Sequence, residues 1–330
     1  MTHHSRPHAH PRARALALAA GAAALAVTLT ACGSAATSGT DHGGAAHGTT
    51  TAAAAPTAGT TTTAAAAPTG AHQGHGVPAV PEPAASSTPT TAAPSAERNG
   101  YRLTSDTGTL AAGTPAAYRF AVTAPDGTRL TAYRTEQTER MHFYAVRSDL
   151  TGFQHLHPEM AADGTWTAPL AALTPGTWRT YASFVPDSGP GSGSGLVLSR
   201  TVTVPGEGAD AAARLPAATG TTTVDGYTVT VEGSPVAGRA GELKVAFARD
   251  GAPVTDLQPY LETFAHLTAF RAGDQAFAHL HPETRAEANG TGGPTLTFHA
   301  EMPAAGDWRL FLQFRTGGQL HTAGLTLTVA

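Results

Sequence analysis

The stretch YRFAVTAPDG, residues 118–127, decides the fold class. Its first half alternates large apolar side chains with other residues, which is the period of a β-strand that buries one face. The run Pro125-Asp126-Gly127 that follows is a turn signal. No segment has helical periodicity, so the sequence predicts an all-β fold of short strands, typical of a β-sandwich. Similar strand patterns follow at 142–147, 177–184 and 197–204.

The sequence pattern of residues 99–205 recurs in residues 222–330. Asp126-Gly127 recurs as Asp250-Gly251, 124 positions later, and His155-Leu156-His157-Pro158-Glu159 recurs at the same spacing as His279-Leu280-His281-Pro282-Glu283. We therefore predict two tandem β-sandwich domains. Their predicted bounds are 99–205 and 222–330, with a linker at 206–221.

Three histidines in each copy are expected to converge. Alternate residues of a strand share a face, so His155 and His157 point to the same side. A hairpin with its turn centred on Asp149-Leu150 places His142 across from His157, and Tyr144 across from His155. In the second copy, a two-residue loop at Gly273-Asp274 gives the same arrangement. A three-residue loop or a bulge would change this register. The candidate metal ligands are His142, His155, His157, His266, His279 and His281.

Three neutral imidazoles without a thiolate suit borderline metal ions such as Cu(II) and Zn(II). Copper is the preferred candidate because it heads the affinity order of divalent ions, and zinc is the second choice. Met141, Met160 and Met302 lie near the motifs, either as soft ligands for Cu(I) or as space-filling residues. His299 and His321 occur only in the second copy, either as a fourth ligand or as surface polar residues.

A structural role for the histidines is the alternative. A histidine in a sandwich can hydrogen-bond main-chain carbonyls and fix a loop. Pro158 would then end the strand and Glu159 could pair with Arg147. Aromatic residues near the end of each copy are predicted to fill the sandwich cores, the alternative being an exposed contact surface. They are Trp178, Tyr181, Phe184, Trp308, Phe311 and Phe314.

The His-Leu-His-Pro motif, followed by Gly-x-Trp-Arg and an aromatic strand, resembles the immunoglobulin-like domains of the YtkA/FixH type. The resemblance covers roughly 101–204 and 222–330. It implies two immunoglobulin-like domains of a secreted tandem-repeat protein from a high-GC bacterium. Such domains are often associated with copper or heavy-metal handling. The motif residues that carry this implication are His155, His157, His279 and His281, with His142 and His266 upstream.

The N-terminus predicts export. Arg6, Arg12 and Arg14 precede an uncharged apolar stretch, 15–29, that is short for a membrane span. Leu29-Thr30-Ala31-Cys32-Gly33 then resembles the lipobox of bacterial lipoproteins, in which the chain is cut before the cysteine and the thiol is lipidated. Two acyl chains hold a protein stably on a membrane. The alternative is an ordinary secretory signal.

Residues 1–31 are thus predicted to be a lipoprotein signal peptide, and 32–98 a disordered tether rich in Ala, Thr, Pro and Gly. The predicted location is the extracytoplasmic side of the cell membrane, with Cys32 as the lipidated residue.

Composition narrows the function further. Lys244 is the only lysine and the net charge is −4, so no nucleic-acid partner is expected. No Ser-His-Asp order or phosphate-binding loop occurs, so an enzyme is not expected. We expect a membrane-anchored, extracytoplasmic metal-binding lipoprotein that buffers or delivers copper, with metal-handling or cell-envelope proteins as partners. The alternative is a non-catalytic cell-surface scaffold or adhesion module whose histidines are structural.

Overall fold

The computed structural model describes residues 93–330, and this part of the chain is all-β. Cys32, the predicted signal peptide and most of the predicted tether lie outside the described residues. Within 93–330 no helix is long and apolar enough to cross a membrane. The strands fall into two runs, which we call the first copy (97–204) and the second copy (221–329).

The first copy contains ten strands. They are β1 (Glu97–Arg98), β2 (Tyr101–Ser105), β3 (Ala116–Thr123), β4 (Tyr133–Arg134), β5 (His142–Arg147), β6 (Phe153–Leu156), β7 (Glu159–Met160), β8 (Trp166–Leu170), β9 (Gly176–Pro186) and β10 (Leu196–Val204). One sheet has the order β1-β2-β3-β8-β7, and the other has the order β10-β9-β5-β6, with β4 also paired to β9. The two sheets enclose a core in which Phe120 stacks on Phe143, with ring centroids 4.8 Å apart. The first copy is therefore an antiparallel sandwich, as the alternating pattern predicted.

The second copy contains nine strands. They are β11 (Thr221–Val224), β12 (Tyr227–Glu232), β13 (Ala240–Arg249), β14 (Ala252–Pro253), β15 (Ala265–Arg271), β16 (Phe277–Pro282), β17 (Thr295–Glu301), β18 (Gly306–Thr316) and β19 (Gln319–Val329). Strand β16 pairs with β15 through 277–280, and then with β17 through His281 and Pro282. It therefore passes from one sheet to the other at the second histidine of the motif. In the first copy the equivalent stretch is split into β6 and β7, and its second histidine, His157, lies in the gap.

The two histidine-bearing hairpins have the predicted register, but the predicted cross-strand pairs His142–His157 and His266–His281 are not formed. The first ladder ends at Leu156, and His281 pairs instead with His299 of β17. Tyr144 lies opposite His155 in the β5–β6 ladder, and Thr268 lies opposite His279 in the β15–β16 ladder. The predicted two-residue loop at Gly273-Asp274 is wrong. Arg271 N donates to Ala276 O and Gln275 N donates to Arg271 O, so the turn spans residues 272–275. The register survives because the longer loop has the same centre.

The outer face of the first copy packs against the outer face of the second. An apolar interdomain cluster fills this contact, and Phe153 stacks on Phe311 within it, with ring centroids 4.1 Å apart and planes 7° from parallel. The cluster consists of Tyr144, Val146, Leu150, Tyr181, Val197, Phe270, Phe277 and Phe311, with Phe153 and Leu215 packed against it. Tyr181 and Phe311 were predicted as sandwich core; instead they face outward into this contact, whereas Trp178, Phe184, Trp308 and Phe314 are in the cores.

Side chains of the first copy also fix the linker. The structural alternative had suggested Glu159 as the partner of Arg147. In the structure Arg147 pairs with Asp149 instead. The Arg147 guanidinium donates to the carbonyl of Ala211 at 3.0 Å, and Asp149 Oδ2 accepts from the backbone N–H of Ala213 at 3.1 Å. The linker is therefore hydrogen-bonded to the first copy near the interdomain contact.

Replacing Phe311 by Ala should lower the free energy of unfolding by about 3 kcal/mol, because it removes a buried ring from the interdomain cluster. Urea denaturation checks this, with Leu320→Ala as the control. Leu320 is 38% exposed, so its truncation should change stability by less than about 0.5 kcal/mol. An equally small effect of Phe311→Ala would mean that the two copies do not stabilise each other through this contact.

Candidate metal centre

All six candidate histidines lie at the contact between the two copies. Successive residues of β5 point to opposite sides. Phe143 and Ala145 point into the core of the first sandwich, whereas His142 and Tyr144 point into the interdomain contact. Strand β15 alternates in the same way, with Leu267 in the second core and His266 facing the first copy. His142 is 5% exposed and His266 is 1% exposed. In each copy, the strand face that carries the histidines is therefore also the face that packs against the other copy. The two sets of histidines meet at this contact.

The first triad consists of His142, His155 and His157. One ring nitrogen of each residue lies within 4.8 Å of one nitrogen of each of the other two. His142 Nδ1 lies 3.2 Å from His155 Nε2. Metal–imidazole bonds of about 2.0–2.1 Å place two tetrahedral ligand nitrogens about 3.3 Å apart. The closest pair of the triad therefore already has the spacing of two ligands of one ion.

The outer nitrogens of two of these rings are held by hydrogen bonds. His142 Nε2 lies 3.1 Å from the carbonyl oxygen of Glu136, which can only accept, so Nε2 carries the proton. His155 Nδ1 donates to Gln313 Oε1 at 2.7 Å. The amide nitrogen of Gln313 in turn lies 3.4 Å from Thr322 Oγ1.

These two hydrogen bonds decide what faces the centre of the triad. In a neutral imidazole only one nitrogen carries a proton, so His142 Nδ1 and His155 Nε2 are both lone pairs. Two lone pairs 3.2 Å apart cannot form a hydrogen bond with each other. The contact between them is therefore one that a cation stabilises.

His157 completes the first triad in a similar orientation. Its Nδ1 lies 3.7 Å from the Glu139 carboxylate, and its Nε2 is buried without a hydrogen-bond partner among the described residues. A ligand histidine commonly directs its other nitrogen toward a carboxylate or carbonyl, which fixes the tautomer. All three rings of the first triad therefore have an oxygen facing the outer nitrogen.

The second triad consists of His266, His279 and His281. It repeats part of the arrangement of the first triad. His266 Nδ1 lies 3.4 Å from His279 Nε2, and the rings of His279 and His281 are 4.5 Å apart. His281 Nε2 is buried without a partner in the described part of the chain. The outer nitrogen of His266 lies 3.2 Å from the hydroxyl of Tyr144.

The two triads are in contact, although the sequence had suggested one separate site in each copy. The rings of His155 and His266 are 4.7 Å apart, and those of His142 and His279 are 6.2 Å apart. We refer to the six residues together as the histidine cluster. Sequence reasoning missed Glu136, Glu139 and Gln313, because nothing in the repeat pattern indicates which side chains surround a cluster between domains.

The other residues considered as ligands lie elsewhere. His299 is exposed and pairs in register with His281 on the neighbouring strand. His321 is buried, and hydrogen-bonds to Asp225 at 2.8 Å and to Thr316 at 3.0 Å, so it is neither a surface residue nor a member of the cluster. Three methionines pack in or against the sandwich cores: Met141, Met160 and Met302.

Burial keeps the cluster uncharged. It lowers the pKa of His142 to about 4, against the usual 6.5, and takes the pKa values of His155, His266 and His279 well below 6.5. For His157, burial also lowers the pKa, and the nearby Glu139 carboxylate opposes the shift. Neutral imidazole is the form that binds metal ions, so the cluster is in its ligand form at neutral pH.

A cavity of about 30 Å³ lies beside the cluster. Its lining includes the ligand candidates His142, His279 and His281 together with Glu136 and Glu139. A space of this size holds one or two small solvent species. It therefore gives an ion-sized space next to both triads, with carboxylates at its wall.

Comparison with known proteins identifies the family. The family model described as domain of unknown function (DUF8832) matches residues 96–190 and again 222–330. The chain belongs to the DUF8832 family. Its two matches correspond to the two copies, and both triads lie within the matched residues of the DUF8832 domains. No curated protein matches the chain. The resemblance to the YtkA/FixH type stays a prediction.

Solved structures give only a distant likeness. The Escherichia coli adhesin FdeC is 16% identical, over 70% of this chain and 64% of that one, with a TM-score of 0.23. The Ig1-2 module of the Drosophila receptor protein tyrosine phosphatase DLAR is 8% identical, over 70% of this chain and 100% of that one, with a TM-score of 0.20. Salmonella alpha-2-macroglobulin is 14% identical, over 72% of this chain but 15% of its own length, with a TM-score of 0.23. The chain thus spans less than two thirds of the adhesin and of the macroglobulin.

The metal-free protein should lose stability as the pH falls from about 6.5 to about 4. The unfolded chain takes up protons on its histidines below about pH 6.5, whereas folded His142 does so only near pH 4, so acid favours unfolding. This difference corresponds to a loss on the order of 3 kcal/mol from His142 alone. Urea denaturation in the presence of a chelator, at several pH values, measures it.

The control for this pH series is His142→Asn, which removes one titrating group. Its stability curve should be flatter than that of the unchanged protein over the same range. Parallel curves for the two proteins would show that His142 is not held neutral by the fold.

Proposed function

We propose that this DUF8832 protein is a membrane-anchored, extracytoplasmic protein that binds a metal ion at its histidine cluster and buffers or delivers it. The observation that carries the proposal is the approach of His142 Nδ1 to His155 Nε2 at 3.2 Å within a triad whose ligand nitrogens lie within 4.8 Å of one another, with His157 Nε2 buried and unpartnered among the described residues. A metal ion bound by all three nitrogens would convert this repulsive contact into a stabilising one.

The surroundings of the rings support a metal site over a purely structural one. A histidine that only fixes a loop satisfies its buried nitrogens with protein groups. In the first triad the outer nitrogens face oxygens of Glu136, Gln313 and Glu139, while the inner nitrogens face one another. This division into a ligand side and a held side is the usual arrangement around metal-binding histidines.

The ligand types favour copper, with zinc as the second choice. The first triad offers three imidazoles and no thiolate, which suits Cu(II) and Zn(II). Cu(II) binds such nitrogen sites more tightly than the other divalent ions of its row. When bound, either ion would be held by His142, His155 and His157, and we infer binding and not an enzymatic reaction as its role.

The predicted lipid anchor at Cys32 and the tether supply the setting for this role. A protein held on the outer face of the membrane meets ions before they reach the cell. Exchange with a partner requires a path to the ligands, and the cavity lined by Glu136, Glu139 and the histidines supports such a path. Buffering and delivery by contact with metal-handling or cell-envelope proteins both fit this arrangement.

Replacing His155 and His157 by Ala should abolish metal binding at the first triad. Cu(II) at about 100 times its Kd should stabilise the unchanged protein by about 2.7 kcal/mol, and this gain should be largely lost in the double variant. Thermal unfolding with and without Cu(II), together with calorimetric titration, measures both effects.

His299→Ala is the matched control, since it removes an exposed histidine near the cluster and should keep the metal effect. The histidines that precede residue 93 are unchanged in all the variants, so any binding by those that the mature protein keeps cancels in the comparison. If the double variant melts at a lower temperature but responds to Cu(II) as the unchanged protein does, the histidines are structural, as expected of a scaffold or adhesion module.

A further inference from the structure

A hydrogen bond joins two rings of the second triad. The Tyr144 hydroxyl is fully buried, and its partner among the described residues is His266 Nε2 at 3.2 Å, so the hydroxyl donates its proton there. A neutral imidazole whose Nε2 accepts carries its own proton on Nδ1, so His266 Nδ1 donates to His279 Nε2 at 3.4 Å. The corresponding nitrogens of His142 and His155 instead face each other as lone pairs.

The second copy forms one wall of the first triad. The His266 ring lies 4.7 Å from the ring of His155 and 5.8 Å from that of His142, and it is nearly parallel to both, at 19° and 10°. His266 is 1% exposed, so this wall keeps water away from the ligand rings on the side of the second copy. The duplicated histidines of the second copy thus help to enclose the site of the first.

One group of the second copy also reaches a ligand directly. The outer nitrogens of the first triad face three oxygens, and two of these belong to the first copy, on Glu136 and Glu139. The third is Gln313 Oε1 on β18 of the second copy, which accepts from His155 Nδ1 at 2.7 Å. The orientation of one ligand ring therefore depends on a side chain from the other sandwich.

Gln313 is buried and sits on the middle one of three paired strands. It is 4% exposed, and its backbone lies opposite His266 of β15 on one side and Thr322 of β19 on the other. The backbone of Gln313 therefore moves only with the second sandwich as a whole. The distance from its amide oxygen to His155 is set by how the two copies pack.

We propose that Gln313 of the second copy is a positioning residue for one metal ion bound at the first triad, so that packing of the second copy controls the affinity of the site. This inference rests on the proposed function and adds to it the role of the second copy. Gln313 holds the His155 proton on Nδ1, which leaves Nε2 free to bind the ion. Linkage makes the effect mutual, so the bound ion also strengthens the contact between the copies.

Substitutions at Gln313 in the full chain test the positioning role. Gln313→Met keeps the length of the side chain but removes the acceptor oxygen, and Gln313→Asn keeps the amide but is one methylene shorter. Both variants should bind Cu(II) roughly 10- to 100-fold more weakly and change its hyperfine splitting in electron paramagnetic resonance. Gln313→Glu retains an acceptor for His155 and should restore affinity and splitting. Metal-free thermal unfolding checks that each variant folds.

Gln275→Met is the matched control. Gln275 is also a buried glutamine of the second copy at the interdomain contact, where it accepts from Arg179 at 3.3 Å and lies 3.4 Å from the Arg147 carbonyl. It contacts the first copy away from the triad, so its substitution should lower stability but leave the affinity for Cu(II) and the spectrum unchanged. An equal loss of affinity in Gln275→Met would show that any loosening of the contact weakens the site, and would overturn a specific role for Gln313.

The number of ions separates this inference from the proposed function. After gel filtration removes weakly bound copper, the unchanged protein should retain one Cu(II). No retained copper contradicts the proposed function itself. One retained ion with the same affinity and splitting in folded Gln313→Met and Gln313→Asn contradicts only the positioning role, and two retained ions contradict the assignment of a single site.

Discussion

Packing of the two sandwiches against each other is the contact on which the candidate site depends. The apolar interdomain cluster, with Phe153 stacked on Phe311, holds the histidine-bearing faces together and excludes water from them. Burial then disfavours the imidazolium form, so the rings stay neutral and their lone pairs stay available. Either sandwich alone would leave its histidines on an open sheet face, where the same residues would be solvated and protonated near their usual pKa.

Duplication has produced two triads that are related but not equivalent. Glu139, beside His157, corresponds to Thr263 in the second copy, which has no carboxylate to offer. Gln313 corresponds to Ser183, whose side chain is too short to make the same contact across the interface. The repeat therefore preserves the ligands and changes the groups around them. Of the two triads, only the first brings three ring nitrogens within 4.8 Å of one another among the described residues.

Much of the fold and part of the site follow from the sequence. Strand alternation gave the sandwiches, and the turn centre between Asp149 and Leu150 gave the register that places Tyr144 opposite His155. The joining of the two triads was not predicted, because the period of a strand shows which residues share a face but not what covers that face. The sequence did contain one indication that a second layer covers this face. The run Phe, Tyr, Ala and Val within His142–Arg147 is typical of a strand covered on both sides, and in the structure every residue of this strand is buried. Gln313 and Glu136 carry no such signal, since their roles depend on three-dimensional packing.

Anomalous diffraction from crystals of the protein grown with Cu(II), recorded at the copper absorption edge, tests the central claim most directly. We predict a strong anomalous peak within bonding distance of His142 Nδ1, His155 Nε2 and His157 Nε2, with the outer hydrogen bonds of His142 and His155 retained. Copper found only at exposed histidines such as His299, with the rings of the first triad still facing one another, would contradict it.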